Sequence, residues 1–197
     1  MTVQKTAAPR SSEILVPKQK LKNPPLSLNY MGDRVLRQPA KRISSVNPET
    51  RQLIRQMLQT MYSEDGIGLA APQVGISKRL LVVDCDPENA AAPPLVLINP
   101  EIKSVSQDIA LGQEGCLSIP SVFLDVKRPE QITVSYRDEQ GRPQSLTTAG
   151  LVARCIQHEI DHLDGILFVD RVENSILLAQ ELAKNGFAQR DVKPLPR

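Results

Sequence analysis

Residues 150–165 read GLVARCIQHEIDHLDG, and this one stretch holds both histidines of the 197-residue chain. From Leu151 to Leu163 the apolar residues recur with helical spacing, and the Asp164-Gly165 pair supplies a C-terminal stop. On a helix, residues i and i+4 differ by about 40° around the axis and about 6 Å along it, so His158 and His162 project from one face. Two imidazoles so placed can close on one metal ion. Glu159 stands about 100° round from His158, poorly placed as a third helical ligand and suited to a base acting on water at the ion. The competing reading is a pair of satisfied histidines beside a solvated acid. The pattern H-E-I-D-H, spending the whole histidine supply, favours the metal.

A catalytic divalent ion usually takes three protein ligands and keeps one position open. Cys155 lies on roughly the same face, but it is seven residues from His162, about 10 Å along the axis, too far for both to bind one ion. It reads as a small apolar residue of the helix face, and Cys85, at the end of an apolar run, as a core thiol. Cys116, in EGCLS between a Gly-containing segment and a proline, sits where an extended chain could cross a helix. Spacing alone leaves it between core thiol and ligand.

Elsewhere, SSVNPETRQLIRQMLQTMYSEDG predicts a helix with Asn47 as cap, Pro48 in the first position and Leu53, Ile54, Met57, Leu58 and Met61 as its buried face. GIGLAAPQVGISK then makes a tight loop. RLLVVDC predicts a buried strand, DPENAAAPP a surface loop, and LVLINPEI and the segment around DIALGQEGCLSIP extended chain. QITVSYRDEQGRPQSLTTAG predicts a hairpin turning near Gly141. ILFVDRV reads as an extended segment or turn, and ENSILLAQELAKNG as a helix started by Asn174 and stopped by Gly186. The absence of regular strand-helix alternation gives an α+β class: a single compact domain with short antiparallel strands packed around a central metal-binding helix, plus N- and C-terminal helices.

A hydrophobic content of 41% and a charged content of 23% are ordinary for a globular chain, and a net charge of +2 gives no general argument for DNA or a membrane as partner. Three cysteines are too few for a disulfide framework, which suits a reducing compartment and a cytoplasmic protein, expected to be a monomer. Residues 1–25, with five Lys or Arg and one Glu, predict a disordered leader; a transit peptide to an organelle stroma is the alternative, lacking an Arg-rich amphipathic stripe. The catalytic domain is expected over 26–187 and a flexible tail over 188–197.

Three motifs now stand in order: G66-I-G-L-A-A-P-Q73, E114-G-C-L-S118 and Q157-H-E-I-D-H-L163. With them the chain resembles peptide deformylase over roughly residues 28–173. The resemblance implies a hydrolase that removes the formyl group from the N-terminal formyl-methionine of nascent polypeptides and releases formate. It implies Cys116, His158 and His162 as metal ligands, Glu159 as general acid/base, and the Gln73 amide with the Leu117 backbone N–H as donors to the formyl oxygen. Ile67, Gly68, Gly115 and Phe123 are expected along the substrate groove, with Gly66 and Gly68 letting backbone approach the peptide. Fe2+ is the implied ion, with Zn2+, Ni2+ or Co2+ able to substitute, and a transient ribosome contact is a further expectation. In SIPSVFLDVKRP, Phe123 and Leu124 stand where some family members carry an arginine, which resembles the chloroplast and related bacterial type. Arg154, one turn before His158, departs from the apolar residue of many relatives and reads either as snorkelling at the pocket rim or as contacting peptide carbonyls.

Two other readings remain at this point. A zinc endopeptidase shares H-E-x-x-H but needs a further ligand downstream, where Glu173 and Glu181 are the available acids. A metal-stabilised binding protein would keep the ion and lack turnover.

Overall fold

The first helix, α1 (Pro48–Ser63), starts where Asn47 Oδ1 accepts a hydrogen bond from Thr50 N at 2.9 Å, and it buries all five apolar residues of the expected stripe. These elements come from a computed structural model that describes residues 16–195. Seven strands follow: β1 (Gly68–Ala70), β2 (Leu80–Val83), β3 (Leu95–Val105), β4 (Ile109–Cys116), β5 (Ile119–Pro129), β6 (Gln131–Arg137) and β7 (Pro143–Ala149). Helices α2 (Gly150–Leu163) and α3 (Ser175–Lys184) complete the order. Five strands form one antiparallel sheet in the order β1-β2-β3-β6-β7, while β4 and β5 pair only with each other.

The run LLVV of β2 is buried at every position because the sheet is covered on both faces. Leu80 and Val82 turn to α1, whereas Leu81 and Val83 turn to Ala153, Ile156, Ile160 and Leu163 of α2, as the two-residue period of a strand requires. A third cluster joins Ile119, Val122, Leu124 and Val126 of β5 to Phe168, Leu178 and Leu182, so the β4–β5 hairpin has its own cover in α3 and the preceding turn. Helix α2 thus lies in the seam between sheet and hairpin, and every residue from Cys155 to Leu163 is buried.

Local detail is added, and ILFVDRV takes the turn of its two readings. The GIGLAAPQVGISK loop contains β1 and a 3-10 turn at Ala71–Val74, ILFVDRV is a 3-10 turn at Phe168–Arg171, and SIPSVFLDVKRP is the long strand β5. Residues 16–25, grouped above with the leader, lie against the domain: Val16 packs on the α1-side core, Lys18 Nζ is 2.6 Å from Asp84 Oδ2, and Leu21 N donates to Ser63 Oγ at 3.1 Å. At the other end Lys193 N donates to Asp170 Oδ1 at 2.7 Å and Leu195 N to Asp170 O at 3.2 Å, so the chain is fixed past the expected boundary at 187. Residues 1–15 of the expected leader and 196–197 of the expected tail lie outside the described residues. No helix among the described residues is long and apolar enough to cross a membrane.

Strand β3 breaks register with β6 between Ile98 and Glu101, and Asn99 takes a left-handed conformation there, φ 52°. Its buried amide accepts from Ile43 N at 2.8 Å and donates to Ile43 O at 2.7 Å. Asn99→Ala leaves both groups unpaired and is expected to cost about 2–4 kcal/mol, against about 1 kcal/mol for the lost cap in Asn47→Ala. Urea midpoints at unchanged m-value check this ranking, and equal shifts for the two variants would contradict it.

Candidate active site

The seam beside α2 opens into a groove of about 530 Å³. Gly66, Ile67 and Gly68 line one side, Gly115, Cys116 and Phe123 the other, with His158 and Glu159 at the base. Helix α2 presents His158 and His162 with ring centroids 5.1 Å apart. Cys116 is the last residue of β4, and its Sγ lies 3.2 Å from His162 Nε2. One ligand atom from each of Cys116, His158 and His162 falls within 4.8 Å of the others, a grouping that could hold one metal ion. The three groups fit a divalent metal: thiolate and imidazole are soft to borderline donors, and the groove side is open. Burial, and then the neighbouring His158, push the His162 pKa well down, leaving the neutral ring that binds metal.

Glu159 is buried and its Oε2 has no hydrogen-bond partner. Burial raises its pKa to about 7, before any charge from an ion is counted, so near neutral pH it can both take and give a proton. The missing Cβ of Gly68 serves this residue. A Cβ there would stand 2.5 Å from Glu159 Oε1 and 2.6 Å from Cys155 Sγ. Gly66 is confined by Leu117, at 2.8 Å, and Gly115 by the Phe123 ring, also at 2.5 Å. Gly66 and Gly68, which the sequence reading gave to backbone approach by the peptide, are thus also required by side chains of their own fold, as is Gly115.

Gln73, a loop amide by sequence, is only 1% exposed. Its Oε1 accepts from Ala70 N at 2.8 Å, which turns Nε2 toward Ser118 Oγ at 3.3 Å and Cys116 Sγ at 3.6 Å. Leu117 follows Cys116 at the turn into β5 and lines the same groove. Phe123 lies at the mouth, 57% exposed. Cys155 Sγ faces Ile67 O at 3.5 Å, apart from the metal-ligand cluster, and Cys85 is a half-buried thiol packed on the sheet side of α2. Glu173 pairs with Lys127 and Glu181 with Lys184, both outside the ligand cluster, which removes the structural basis for the endopeptidase alternative.

Sequence reasoning missed the groups behind the three candidate ligands. Glu114 Oε2 accepts from His158 Nδ1 at 2.9 Å and from Arg128 at 2.8 Å, while Oε1 accepts from Arg128 Nε at 2.6 Å. Burial alone would raise the Glu114 pKa, but the hydrogen bonds from Arg128 and His158 outweigh it and hold the carboxyl well below the usual range. Arg128 also donates to Asp161 at 2.8 Å, and Arg171 closes on that acid at 2.6 Å. A signal existed in the strand period, since Arg128 falls on the parity of Val122, Leu124 and Val126 and had to point inward with a partner. Arg154 lines the groove, as its rim reading has it, but it has intramolecular partners that neither reading foresaw. Its guanidinium bonds Glu114 and three backbone carbonyls of its own chain.

Known proteins share this sequence and fold. The family model described as polypeptide deformylase matches residues 25–176. Peptide deformylase 1 of Nostoc sp. strain PCC 7120 is 69% identical over 93% of this chain and 98% of its own. A Gloeobacter violaceus peptide deformylase is 65% identical over the same shares. The crystal structure of a peptide deformylase from Synechococcus elongatus in complex with actinonin superposes with a TM-score of 0.91 at 64% identity, covering 91% of this chain and 98% of that one. A plant peptide deformylase gives 0.77 at 36% identity over 84% and 89%. On the matched span, the order of the motifs and the superposed fold together, the chain belongs to the polypeptide deformylase family, metal-dependent hydrolases that take the formyl group from nascent peptides.

Proposed function

We propose that the deformylation of this family runs in this groove with Cys116, His158 and His162 holding one divalent ion and Glu159 moving the proton. The observation that carries the reading is the convergence of the three ligand atoms within 4.8 Å beside a buried carboxylate whose Oε2 has no partner. An ion held there would supply Lewis-acid polarisation of the formyl oxygen and a lowered pKa for the attacking water. Glu159 accepts the proton of that water at its groove-facing carboxylate. As charge grows on the formyl oxygen, Gln73 Nε2 and the Leu117 N–H donate to it, two donors held by the Gln73–Ala70 bond and the β4–β5 turn. Glu159 then hands its proton to the leaving amine, and formate and a peptide with a free N-terminus depart.

Strand β1 is an edge of its sheet, so Gly68 offers unpaired backbone to an extended peptide, with the Gly115 backbone opposite. Ile67 and Phe123 flank the methionine and the residues after it, and the Cys155 sulfur forms part of the apolar wall. Fe2+ is the expected ion, with Zn2+, Ni2+ or Co2+ able to replace it at a site of one thiolate and two imidazoles. The same reading has the protein act as a monomer, in the cytoplasm or an organelle stroma, with transient ribosome contact.

Glu159→Gln is expected to abolish formate release from formyl-Met-Ala-Ser while metal content stays at the wild-type level. Retained turnover would remove Glu159 from its role. Gln73→Ala should lose about 100 to 1000-fold in kcat, the usual range for one oxyanion donor, and a loss confined to KM would make Gln73 a binding group only. Anaerobically prepared Fe2+ and Ni2+ forms should be active and air should inactivate the iron form alone. Equal activity with zinc and indifference to air would contradict the iron assignment.

A further inference from the structure

The three ligand positions come from two bodies of the fold. Cys116 ends β4, whereas His158 and His162 belong to α2, and the β4–β5 hairpin shares no strand ladder with the sheet on which α2 lies. The separation of thiolate and imidazoles is therefore set by how firmly the hairpin docks on the helix. We propose that Arg154 is a positioning residue for the metal site, clamping the hairpin to α2 and, through Glu114, fixing the ring of His158. The proposal rests on the reading of Cys116, His158 and His162 as ligands.

Arg154 leaves α2 four residues before His158 and runs across the hairpin with its side chain 13% exposed. One terminal nitrogen, NH1, donates to Glu114 Oε1 at 2.7 Å, Val126 O at 2.9 Å and Gly112 O at 3.3 Å, and the other, NH2, donates to Ala110 O at 2.8 Å. It thus holds backbone of both β4 and β5 together with the carboxylate that orients His158. Its neighbour Arg128 also grips Glu114, but both of those residues lie in the hairpin, so that pair alone does not tie Glu114 to the helix. Gly112 makes the crossing feasible: a Cβ there would stand 3.0 Å from Arg154 Cζ and Nε. The donors required are those of a planar fork reaching several acceptors at once. A lysine ammonium can keep the Glu114 contact but cannot span both strands.

Besides the contacts of His158 with Glu114 and of His162 with Cys116, two further side-chain links join α2 to the hairpin, Arg128 to Asp161 at 2.8 Å and Gln157 Nε2 to Pro129 O at 3.0 Å. The second does not touch Glu114, which makes Gln157→Leu the control for loosened docking by itself. Wild type, Arg154→Met, Arg154→Lys, Gly112→Ala and Gln157→Leu would be loaded anaerobically with Co2+ or Ni2+. Metal release to excess chelator, the cobalt d–d absorption and the kcat and KM of saturated enzyme would then be read.

Arg154→Met is expected to release metal about 10 to 100-fold faster, the usual cost of removing an outer-shell partner, with an altered cobalt band and a fall in kcat larger than any change in KM. Arg154→Lys should fall between it and wild type. Gly112→Ala, which crowds the guanidinium without deleting it, should move release in the same direction by less and keeps the test open if Arg154→Met fails to fold. Gln157→Leu, which loosens one docking bond and leaves Glu114 held, should speed metal release by clearly less than Arg154→Met does. The proposal is overturned if Arg154→Met keeps the wild-type release rate and cobalt band, or if Gln157→Leu reproduces its effect. A change in KM alone would also overturn it by making Arg154 a substrate contact. Cys116→Ser separates the two levels: unchanged metal affinity in that variant sinks the ligand reading and the Arg154 proposal with it, whereas loss of metal there beside an indifferent Arg154→Met sinks only the proposal.

Discussion

The carboxylate of Glu114 is the point on which the site turns. It is buried, and its two oxygens accept from Arg128, Arg154 and His158, groups that come from β5 and from α2. An isolated buried carboxylate would cost several kcal/mol, and this one is tolerable only because charged donors surround it. The return is directional. A His158 ring whose Nδ1 is bonded to Glu114 must aim Nε2 at Cys116 and His162, so the tautomer and rotation of a ligand are set from behind. Such a network adds little net stability compared with a hydrophobic replacement. Its contribution here is to a single arrangement of three groups that belong to separate elements.

That arrangement explains why α2 is buried along its whole second half. Its apolar face, Ala153, Ile156, Ile160 and Leu163, fixes it to the sheet by an area effect that any similar apolar residues could supply. Its polar face cannot use area. Arg154, Gln157, His158 and Asp161 meet the hairpin through specific bonds, each with a named partner. Apolar packing on one side gives position to within a repacking tolerance, and hydrogen-bonded packing on the other sharpens it to the geometry that metal ligation needs.

Much of this was legible in the sequence where a period or a spacing carried it. Helices α1, α2 and α3 followed from caps and apolar recurrence, and the β6–β7 hairpin from its turn at Gly141, φ +82°. The pairing of His158 with His162 followed from helical geometry alone. Cys116 did not, because nothing local brings β4 to α2; the family resemblance was needed to choose it from three cysteines. Strand β5 was missed because its alternation ends on Arg128, which looks like a surface charge until its partners Glu114 and Asp161 are in view. Gln73 was equally opaque, since an amide in a Gly- and Pro-rich loop gives no sign that Ala70 N will capture its oxygen.

Gly68 shows how tightly the first motif is bound to the third. The strand β1 lies so close to α2 that Glu159 Oε1 and Cys155 Sγ occupy the place of a Cβ, and Cys155 in turn contacts Ile67 O. An alanine at 68 must therefore displace the end of the Glu159 carboxylate, the Cys155 sulfur or the β1 backbone itself. The spacing between β1 and the Glu159 carboxylate is thus set by the absence of a methyl group. On the proposed reading, a glycine here couples the position of the peptide edge to that of the acid/base, so a change at 68 moves both.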